Sequence, residues 1–163
     1  MEVREATPGD AAAASDVAEA AWWASCAGFL DADTVRRVLA EGYTDERLAD
    51  AFGDSELYTV VAVDGAGVVV GFAIAERTWA DTVDLHALYV DPDRWGEGAG
   101  AALLDSVIAY ARGEECEYVR ATAFEGNPVA RPFFESQGFE RTRTVETPVF
   151  ETVHEEAVLE RTV

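Results

Sequence analysis

Apolar residues recur along the chain with two different periods, and these periods predict a mixed α/β fold. Ala14, Val17, Ala18, Ala21 and Trp22 have the spacing of one apolar face of a helix. Two later segments, Leu57–Val63 and Val68–Glu76, are rich in β-branched residues and flank the turn sequence Asp-Gly-Ala-Gly. An Asp-Gly pair between apolar runs is typical of a β-hairpin.

The rest of the pattern completes the order of elements. The other expected elements are a strand at Val3–Ala6, helices at about 31–41 and (with a weaker pattern) 44–52, a strand at Val83–Val90, a helix after it that ends near Gly113, a strand at Tyr118–Phe124, a helix at about 128–137, and strands near 139–147 and 151–161. The order β-α-α-β-β-β-α-β-α-β-β predicts a mixed sheet with helices on both faces. Residues 83–124 are expected to form a right-handed parallel crossover.

Length and composition indicate one folded domain over residues 1–163. The chain is 49% hydrophobic and has no repeat or low-complexity tract, which fits a globular core. Its longest apolar stretch, Val68–Ala75, is too short to span a bilayer. The N-terminus lacks the basic start and apolar core of a secretion signal. We therefore expect a soluble cytoplasmic protein with no membrane partner.

The charge is the second informative property. The formal net charge is −20, and all twelve basic residues are Arg. Such like charge repels itself in dilute buffer, but in molar salt the Debye length falls to about 3 Å and screens it. This composition resembles proteins of salt-accumulating halophiles and predicts a halophilic archaeal source; the alternative is an ordinary acidic protein. Nucleic acid is excluded as a partner, since binding it requires a basic surface.

The cysteines indicate no metal site. Cys26 and Cys116 have neither CxxC spacing nor paired histidines nearby, so buried reduced thiols are expected. No metal is expected elsewhere either.

A glycine-rich loop after the third strand run is the most informative motif. The segment LYVDPDRWGEGAGAALL, residues 88–104, leads from a strand into a helix, where free backbone N–H groups and the helix dipole favour a phosphate. No Lys-Ser or Lys-Thr follows, which excludes a P-loop. Leu103 stands where a dinucleotide fingerprint needs its third glycine. The loop therefore predicts another kind of cofactor-phosphate site.

Together with the order of elements, two motifs resemble the GCN5-related N-acetyltransferase (GNAT) superfamily. Trp95–Gly100, WGEGAG, is similar to the family loop [QR]-x-x-G-x-[GA], with Trp95 in place of Gln or Arg and with Arg94 beside it as a substitute charge. GNPVARPFFESQGF, residues 126–139, is similar to N-x-x-A-x-x-F-Y-E-x-x-G-F. The resemblance implies a mostly antiparallel sheet of about seven strands with a central parallel pair.

The resemblance also implies acetyl-CoA as co-substrate and acetyl transfer to a primary amine of a small molecule or peptide. The cofactor-binding residues that it implies are Leu88, Tyr89, Val90, Trp95, Gly96, Glu97, Gly98, Ala99, Gly100, Ala101, Asn127 and Phe134. Among them, the N–H of Val90 would polarise the thioester carbonyl. Asn127 before Pro128 is equally explained as a helix N-cap, and Gly100 as a site of close packing.

Acetyl transfer requires that the amine lose a proton. By strict alternation Asp84, His86, Leu88 and Val90 share one strand face. We expect Asp84 or His86 to act as the base, since the family often places a carboxylate at the position of Asp84 and histidine titrates near neutrality. Glu76 is a further candidate, and transfer without any side-chain base is the remaining alternative.

Phe134 departs from the family pattern. The family commonly has Tyr there, whose hydroxyl protonates the leaving thiolate, whereas Phe134 has no proton to give.

The leading hypothesis is an N-acetyltransferase, and the alternative is a non-catalytic acyl-CoA-binding or regulatory module. Homodimers are common in the family, so a homodimer is one further expectation. Five aromatic residues are candidates for the wall of the amine site: Trp22, Trp23, Phe29, Tyr43 and Trp79.

Overall fold

The strands form one seven-stranded sheet in the order β1-β2-β3-β4-β5-β7-β6. The computed structural model of the chain describes residues Met1–Val163. Its elements are β1 (Glu2–Glu5), α1 (Ala11–Cys26), α2 (Ala32–Gly42), α3 (Asp45–Phe52), β2 (Tyr58–Val63), β3 (Val69–Trp79), β4 (Thr82–Val90), α4 (Ala99–Gly113), β5 (Tyr118–Phe124), α5 (Ala130–Ser136), β6 (Glu140–Val149) and β7 (Thr152–Thr162).

The predicted architecture is confirmed. Every pair of neighbouring strands is antiparallel except β4 and β5, which are parallel and connected through α4. The weak pattern at 44–52 is a complete helix, α3, whose first turn is capped by the Thr44 hydroxyl accepting the N–H of Arg47. It is short and buries only Leu48 and Phe52, which explains why its periodicity is faint.

The sheet separates two hydrophobic cores. Helix α4 packs Leu103, Leu104 and Val107 against one face, and all three are fully buried. Helices α1 and α3 cover the other face, where the ring of Phe52 lies against that of Phe72. Each such large side chain contributes about 1.5–3 kcal/mol by its burial, so both cores hold the central strands in place.

The central strands diverge shortly after they begin. Strands β4 and β5 are paired only at Thr82–Asp84 and Tyr118–Arg120. Beyond Asp84 no ladder joins them, although β4 continues to Val90 and β5 to Phe124. The sheet therefore contains a wedge-shaped gap at its centre, open towards the carboxyl ends of both strands.

Two further properties bear on the expectations from sequence. No helix of this chain combines the length and the apolar character needed to cross a bilayer. Cys26 and Cys116 are buried and not joined in a disulfide. Burial raises the pKa of the Cys26 thiol, which keeps it protonated.

Candidate active site

The gap beside β4 exposes backbone groups that would otherwise join a sheet. The N–H of Asp91 donates to the carbonyl oxygen of Val70 at 2.8 Å, so Asp91 faces β3. Because hydrogen-bonding directions alternate along an antiparallel strand, the N–H groups of Leu88 and Val90 point the opposite way, into the gap. A ligand lying there can hydrogen-bond to the strand as a further strand would.

The glycine-rich loop lies at the same end of β4. Gly96 and Gly98 have φ angles of +82° and +91°, a backbone conformation that residues with a Cβ rarely adopt. Helix α4 begins immediately afterwards, and no side chain caps its N-terminus. The first N–H groups of α4 are therefore free to bind an anion, as the sequence predicts.

Gly100 has a packing role as well. A Cβ on Gly100 would lie 3.2 and 3.3 Å from two ring carbons of Phe133. The absence of a side chain lets α5 approach the first turn of α4. This close approach supports the packing explanation for Gly100. Gly100 and Phe133 also line the groove that leads from the loop.

Arg94, which was expected to supply a positive charge beside the loop, is instead bonded to two carboxylates. Its guanidinium bonds to Asp64 at 2.9 Å and to Glu97 at 3.1 Å, and hydrogen bonds to Asp64 and then Glu97 raise the pKa of Arg94. Its charge is thus balanced by two carboxylates. Trp95 instead donates its indole N–H to the carbonyl oxygen of Val90 at 3.0 Å, which ties the loop to the end of β4.

A groove of about 480 Å³ follows the loop and the gap. All the predicted cofactor-binding residues except Glu97 line this groove. Asn127 does so two residues before Val129, the N-cap of α5, and its Oδ1 accepts the N–H groups of Val129 and Ala130 at 2.9 and 3.1 Å. The Nδ2 of Asn127 remains available to a ligand, so its two predicted roles are compatible.

A second cavity, of about 230 Å³, continues from the groove between β4 and β5. The two share six lining residues: Ser25, Leu88, Tyr89, Asn127, Ala130 and Phe134. Trp22, Tyr43, His86, Thr122 and Glu156 line the second cavity alone. The groove and the cavity are therefore adjoining compartments, with the ring of Phe134 at their junction.

His86 lies at an irregularity in β4. Ala75 pairs with Leu85 and Ile74 with Ala87, so His86 is one extra residue, a β-bulge. The predicted alternation is wrong beyond this point: Leu85, Leu88 and Val90 pack towards α4, whereas Ala87 and Tyr89 pack towards α1. The bulge leaves His86 exposed at the cavity, with its Nε2 2.8 Å from Oε1 of Glu76.

Asp84 is engaged elsewhere. Both of its carboxylate oxygens bond to Arg120, at 2.6 and 2.7 Å, and it also accepts the hydroxyl of Thr78. Burial alone would raise the pKa of Asp84, but the hydrogen bonds of Arg120 and Thr78 and the Arg120 charge outweigh it and lower the pKa. Asp84 lines neither cavity. A catalytic role for Asp84 stays a prediction, and this geometry favours His86.

Phe134 provides no proton, and the tyrosines nearby are held differently. Its buried ring packs between Phe133 and Phe139. The hydroxyls of Tyr43 and Tyr89 are bonded to each other at 3.1 Å, and burial raises the pKa of both. Raised pKa values make these groups weaker acids than tyrosine in water.

Part of the second cavity is formed by residues that no sequence pattern predicts. Of the five aromatic residues suggested for the amine site, Trp22 and Tyr43 line it, whereas Trp23, Phe29 and Trp79 do not. Ser25, Thr122 and Glu156 also line it but belong to no motif. Glu156 is brought there by pairing opposite Phe124 in the β5–β7 ladder, a long-range contact without a local pattern.

Comparison with known proteins gives the class to which this fold and site belong. The model of the acetyltransferase (GNAT) family matches residues 20–139, and the chain belongs to this family. The PaiA N-acetyltransferase of Thermoplasma acidophilum, solved in complex with coenzyme A, has a TM-score of 0.85, covering 99% of this chain and 98% of that one at 19% identity. That similarity shows the common fold.

Three relatives of similar sequence differ in how much of their length this chain matches. An aminoglycoside N(6')-acetyltransferase type 1 of Stenotrophomonas maltophilia is 32% identical over 152 residues, which cover 88% of both chains. An uncharacterized N-acetyltransferase of Methanocaldococcus jannaschii is 30% identical over 98 residues, and an amino-acid acetyltransferase of Mycobacterium tuberculosis is 31% identical over 101 residues. The matches span 42% and 54% of these two relatives, about half their lengths.

Proposed function

We propose that this protein is an N-acetyltransferase that moves an acetyl group from acetyl-CoA to a primary amine of a small molecule or peptide by direct transfer. The observation that supports this function is the continuity of the groove at the glycine-rich loop with the cavity beside His86. One compartment fits a phosphate-bearing, elongated cofactor, and the next has room for an amine.

The cofactor would be held largely by backbone groups. The N–H groups of Gly98, Ala99 and Gly100 bind the pyrophosphate at the start of α4. The backbone of Leu88 hydrogen-bonds the pantetheine arm along the gap, and Asn127 offers its Nδ2. When bound, acetyl-CoA supplies a thioester whose carbonyl carbon is open to attack by an amine. The N–H of Val90 points into the gap, where it stabilises negative charge on the carbonyl oxygen.

His86 acts as the base in this proposal. Its exposed position at the bulge allows it to accept a proton from the ammonium form of the amine, directly or through water. Glu76, hydrogen-bonded to the ring, orients the imidazole and stabilises the imidazolium that forms. Phe134 donates nothing, but a thiolate is a moderate leaving group, since the comparable Cys thiol has a pKa of about 8.5.

The test is thiol release from acetyl-CoA with a panel of amines in molar KCl. His86→Gln should lower kcat/KM by about a hundredfold or more, the usual effect of removing a general base. His154→Gln is the matched control, because His154 bonds to Thr152 and lines neither cavity. Equal activity of His86→Gln and wild type would exclude this base.

The second candidate is a non-catalytic acyl-CoA-binding module. It is favoured by the missing hydroxyl at Phe134 and by the balanced charge of Arg94 beside the loop. Binding of CoA without thiol release in the presence of any amine would establish it. Amine-dependent release would exclude it.

The charge supports proposals about the setting of the protein. Because the net charge is −20, we infer that the protein works in a cytoplasm of concentrated salt, as in halophilic archaea, and has no nucleic-acid or membrane partner.

We treat residues 1–163 as a single domain, and a homodimer remains an expectation from the family. Sedimentation in molar KCl measures the oligomeric state directly.

A further inference from the structure

One wall of the second cavity is a side chain that is itself supported from behind. Strand β5 contributes four consecutive residues to this cavity: Ala121, Thr122, Ala123 and Phe124. The first three are small, so the ring of Phe124 is the largest side chain on this wall. The position of that ring therefore determines how much room the cavity offers along β5.

Phe29 supports the ring of Phe124. Phe29 lies in the loop between α1 and α2 and lines neither compartment. The centroids of the two rings are 5.7 Å apart and their planes are inclined by 53°, a geometry typical of packed aromatic pairs. Phe124 thus has the cavity on one side and Phe29 on another. Phe29 therefore opposes any movement of the Phe124 ring away from a ligand.

Phe29 in turn packs on a glycine that leaves no space for a side chain. A Cβ on Gly126 would lie 2.5 Å from Cγ of Phe29 and 2.9 Å from its Cβ, both closer than real contacts allow. Because the Cβ of Phe29 is fixed to the backbone, rotation of the ring cannot relieve this clash, and the loop itself would have to shift. The absence of a side chain at Gly126 is therefore what lets Phe29 reach Phe124.

The loop that carries Phe29 is anchored on both sides. The N–H groups of Phe29 and Leu30 donate to the carbonyl oxygen of Cys26 at 3.1 and 2.9 Å, and Leu30 is buried. Further along the chain, Arg37 of α2 makes two hydrogen bonds to Glu151, at 2.7 and 3.0 Å. These contacts connect the loop to α1 at one end and, through α2, to the turn between β6 and β7 at the other.

The cavity that this wall bounds is small. Its volume is about 230 Å³, below the range of about 300–1,000 Å³ that is common for ligand sites. Packed side chains resist expansion, because moving one ring requires its neighbours to move as well. A bulky group on a ligand would therefore have to displace both Phe124 and Phe29.

We propose that Phe29 is a positioning residue that sets the size of the amine substrate. It holds the ring of Phe124 in the wall of the second cavity and so restricts the protein to compact amines, those without a bulky ring. This inference rests on the proposed acetyl transfer, because that function assigns the second cavity to the amine. Phe29 acts through Phe124 and touches neither the amine nor the cofactor.

Two amines that differ by one ring test the proposal. Propylamine is compact, and phenylpropylamine has the same chain with a terminal phenyl group. Thiol release from acetyl-CoA in molar KCl gives kcat and KM for each. We expect wild-type kcat/KM to favour propylamine by about tenfold or more, since discrimination by pocket size has at least this scale.

Four variants separate a role in specificity from a role in stability. Phe29→Ala should reduce the preference for propylamine by about tenfold, mainly through a lower KM for phenylpropylamine, because the ring of Phe124 gains space to move. Gly126→Ala should act in the same direction by displacing Phe29. Gly28→Ala is its matched control, since Gly28 lies in the same loop and a Cβ there would meet no atom within 4 Å. Phe29→Leu retains a large apolar side chain and should keep the wild-type preference.

The outcomes distinguish this inference from the proposed function. A wild type that acetylates phenylpropylamine as efficiently as propylamine would overturn the inference and leave the acetyltransferase standing. A Phe29→Ala variant that lowers kcat/KM equally for both amines would also overturn it, since that is the effect of a general loss of structure. Transfer to neither amine, and to no member of the wider panel, would count against both.

Discussion

Asp84 and Arg120 face each other at the last paired position of β4 and β5, and two hydrogen bonds of 2.6 and 2.7 Å join their side chains. Beyond this pair the strands separate and the central gap begins. The ion pair therefore lies at the point where the sheet opens, next to the site but lining neither cavity.

Asp84→Asn tests this role. The variant leaves the partly buried Arg120 guanidinium without its carboxylate and should lower the free energy of unfolding at pH 7 by about 1–3 kcal/mol. Activity per folded molecule should change less than about threefold, because Asp84 lines neither cavity. Loss of a general base would lower activity by about a hundredfold or more. Urea unfolding and thiol release measure the two effects. Asp105→Asn, at an exposed position of α4 without ion pairs, is the control.

The pH dependence of stability follows from the same pair. The pKa of Asp84 is lowered in the folded protein, so its contribution is complete above its unfolded pKa of about 3.9 and is lost as pH falls through the lower folded value. The difference in unfolding free energy between wild type and Asp84→Asn should be constant from pH 7 to about 5 and shrink below about pH 4. A difference that grows on acidification would contradict this assignment.

Gly98→Ala should weaken cofactor binding. With φ at +91°, an alanine costs about 1–2 kcal/mol of backbone strain, and relief of that strain would turn the N–H groups at the start of α4 away from the phosphate. We expect a higher Kd for CoA by calorimetry. Gly113→Ala, where φ is negative and a Cβ meets no atom within 4 Å, should leave the Kd unchanged. Equal effects of the two variants would argue against the loop as the phosphate site.

Trp95→Phe removes the hydrogen bond between the loop and the carbonyl oxygen of Val90. The loss of one neutral hydrogen bond corresponds to about 0.5–1.5 kcal/mol, and we expect it mainly as a higher Kd for CoA because the loop becomes less ordered. Trp79→Phe is the control, since Trp79 is 65% exposed and its indole has no partner. An unchanged Kd in Trp95→Phe would show that this contact is dispensable.

Salt should stabilise the protein. The net charge is −20, and raising KCl from 0.1 to 1 M shortens the Debye length from about 10 to about 3 Å, which reduces repulsion among the excess carboxylates. We expect a higher urea midpoint and a higher Tm with increasing KCl. Sucrose at matched osmolality separates screening from solute exclusion. A Tm that falls with salt would show that the ten Arg–carboxylate ion pairs outweigh the net repulsion.

Several parts of the molecule follow from local chemistry. The β2–β3 turn at Asp64 forms where Asp-Gly predicts it, with Asp64 Oδ1 accepting the N–H groups of Ala66 and Val68. The glycine-rich loop is equally local, because Gly96 and Gly98 adopt conformations that glycine favours. Both were predictable, since the interactions that specify them lie within a few residues.

The catalytic side of the site depends on distant residues. Strict alternation placed Asp84 and His86 together, whereas the bulge at His86 arises from the pairing of β3 with β4. Arg120, which holds Asp84, lies on another strand and gives no pattern around residue 84. The choice between these two candidate bases could not be made from periodicity alone.

The pattern of apolar residues and glycines in this chain specifies its elements, its GNAT architecture and its glycine-rich loop, because each depends on local backbone preference or on one buried face. Folding adds the assembly of the second cavity, in which Trp22 of α1, His86 of β4 and Glu156 of β7 line a common space. Their proximity results from strand order and from the divergence of β4 and β5, and these are set by packing across the whole sheet.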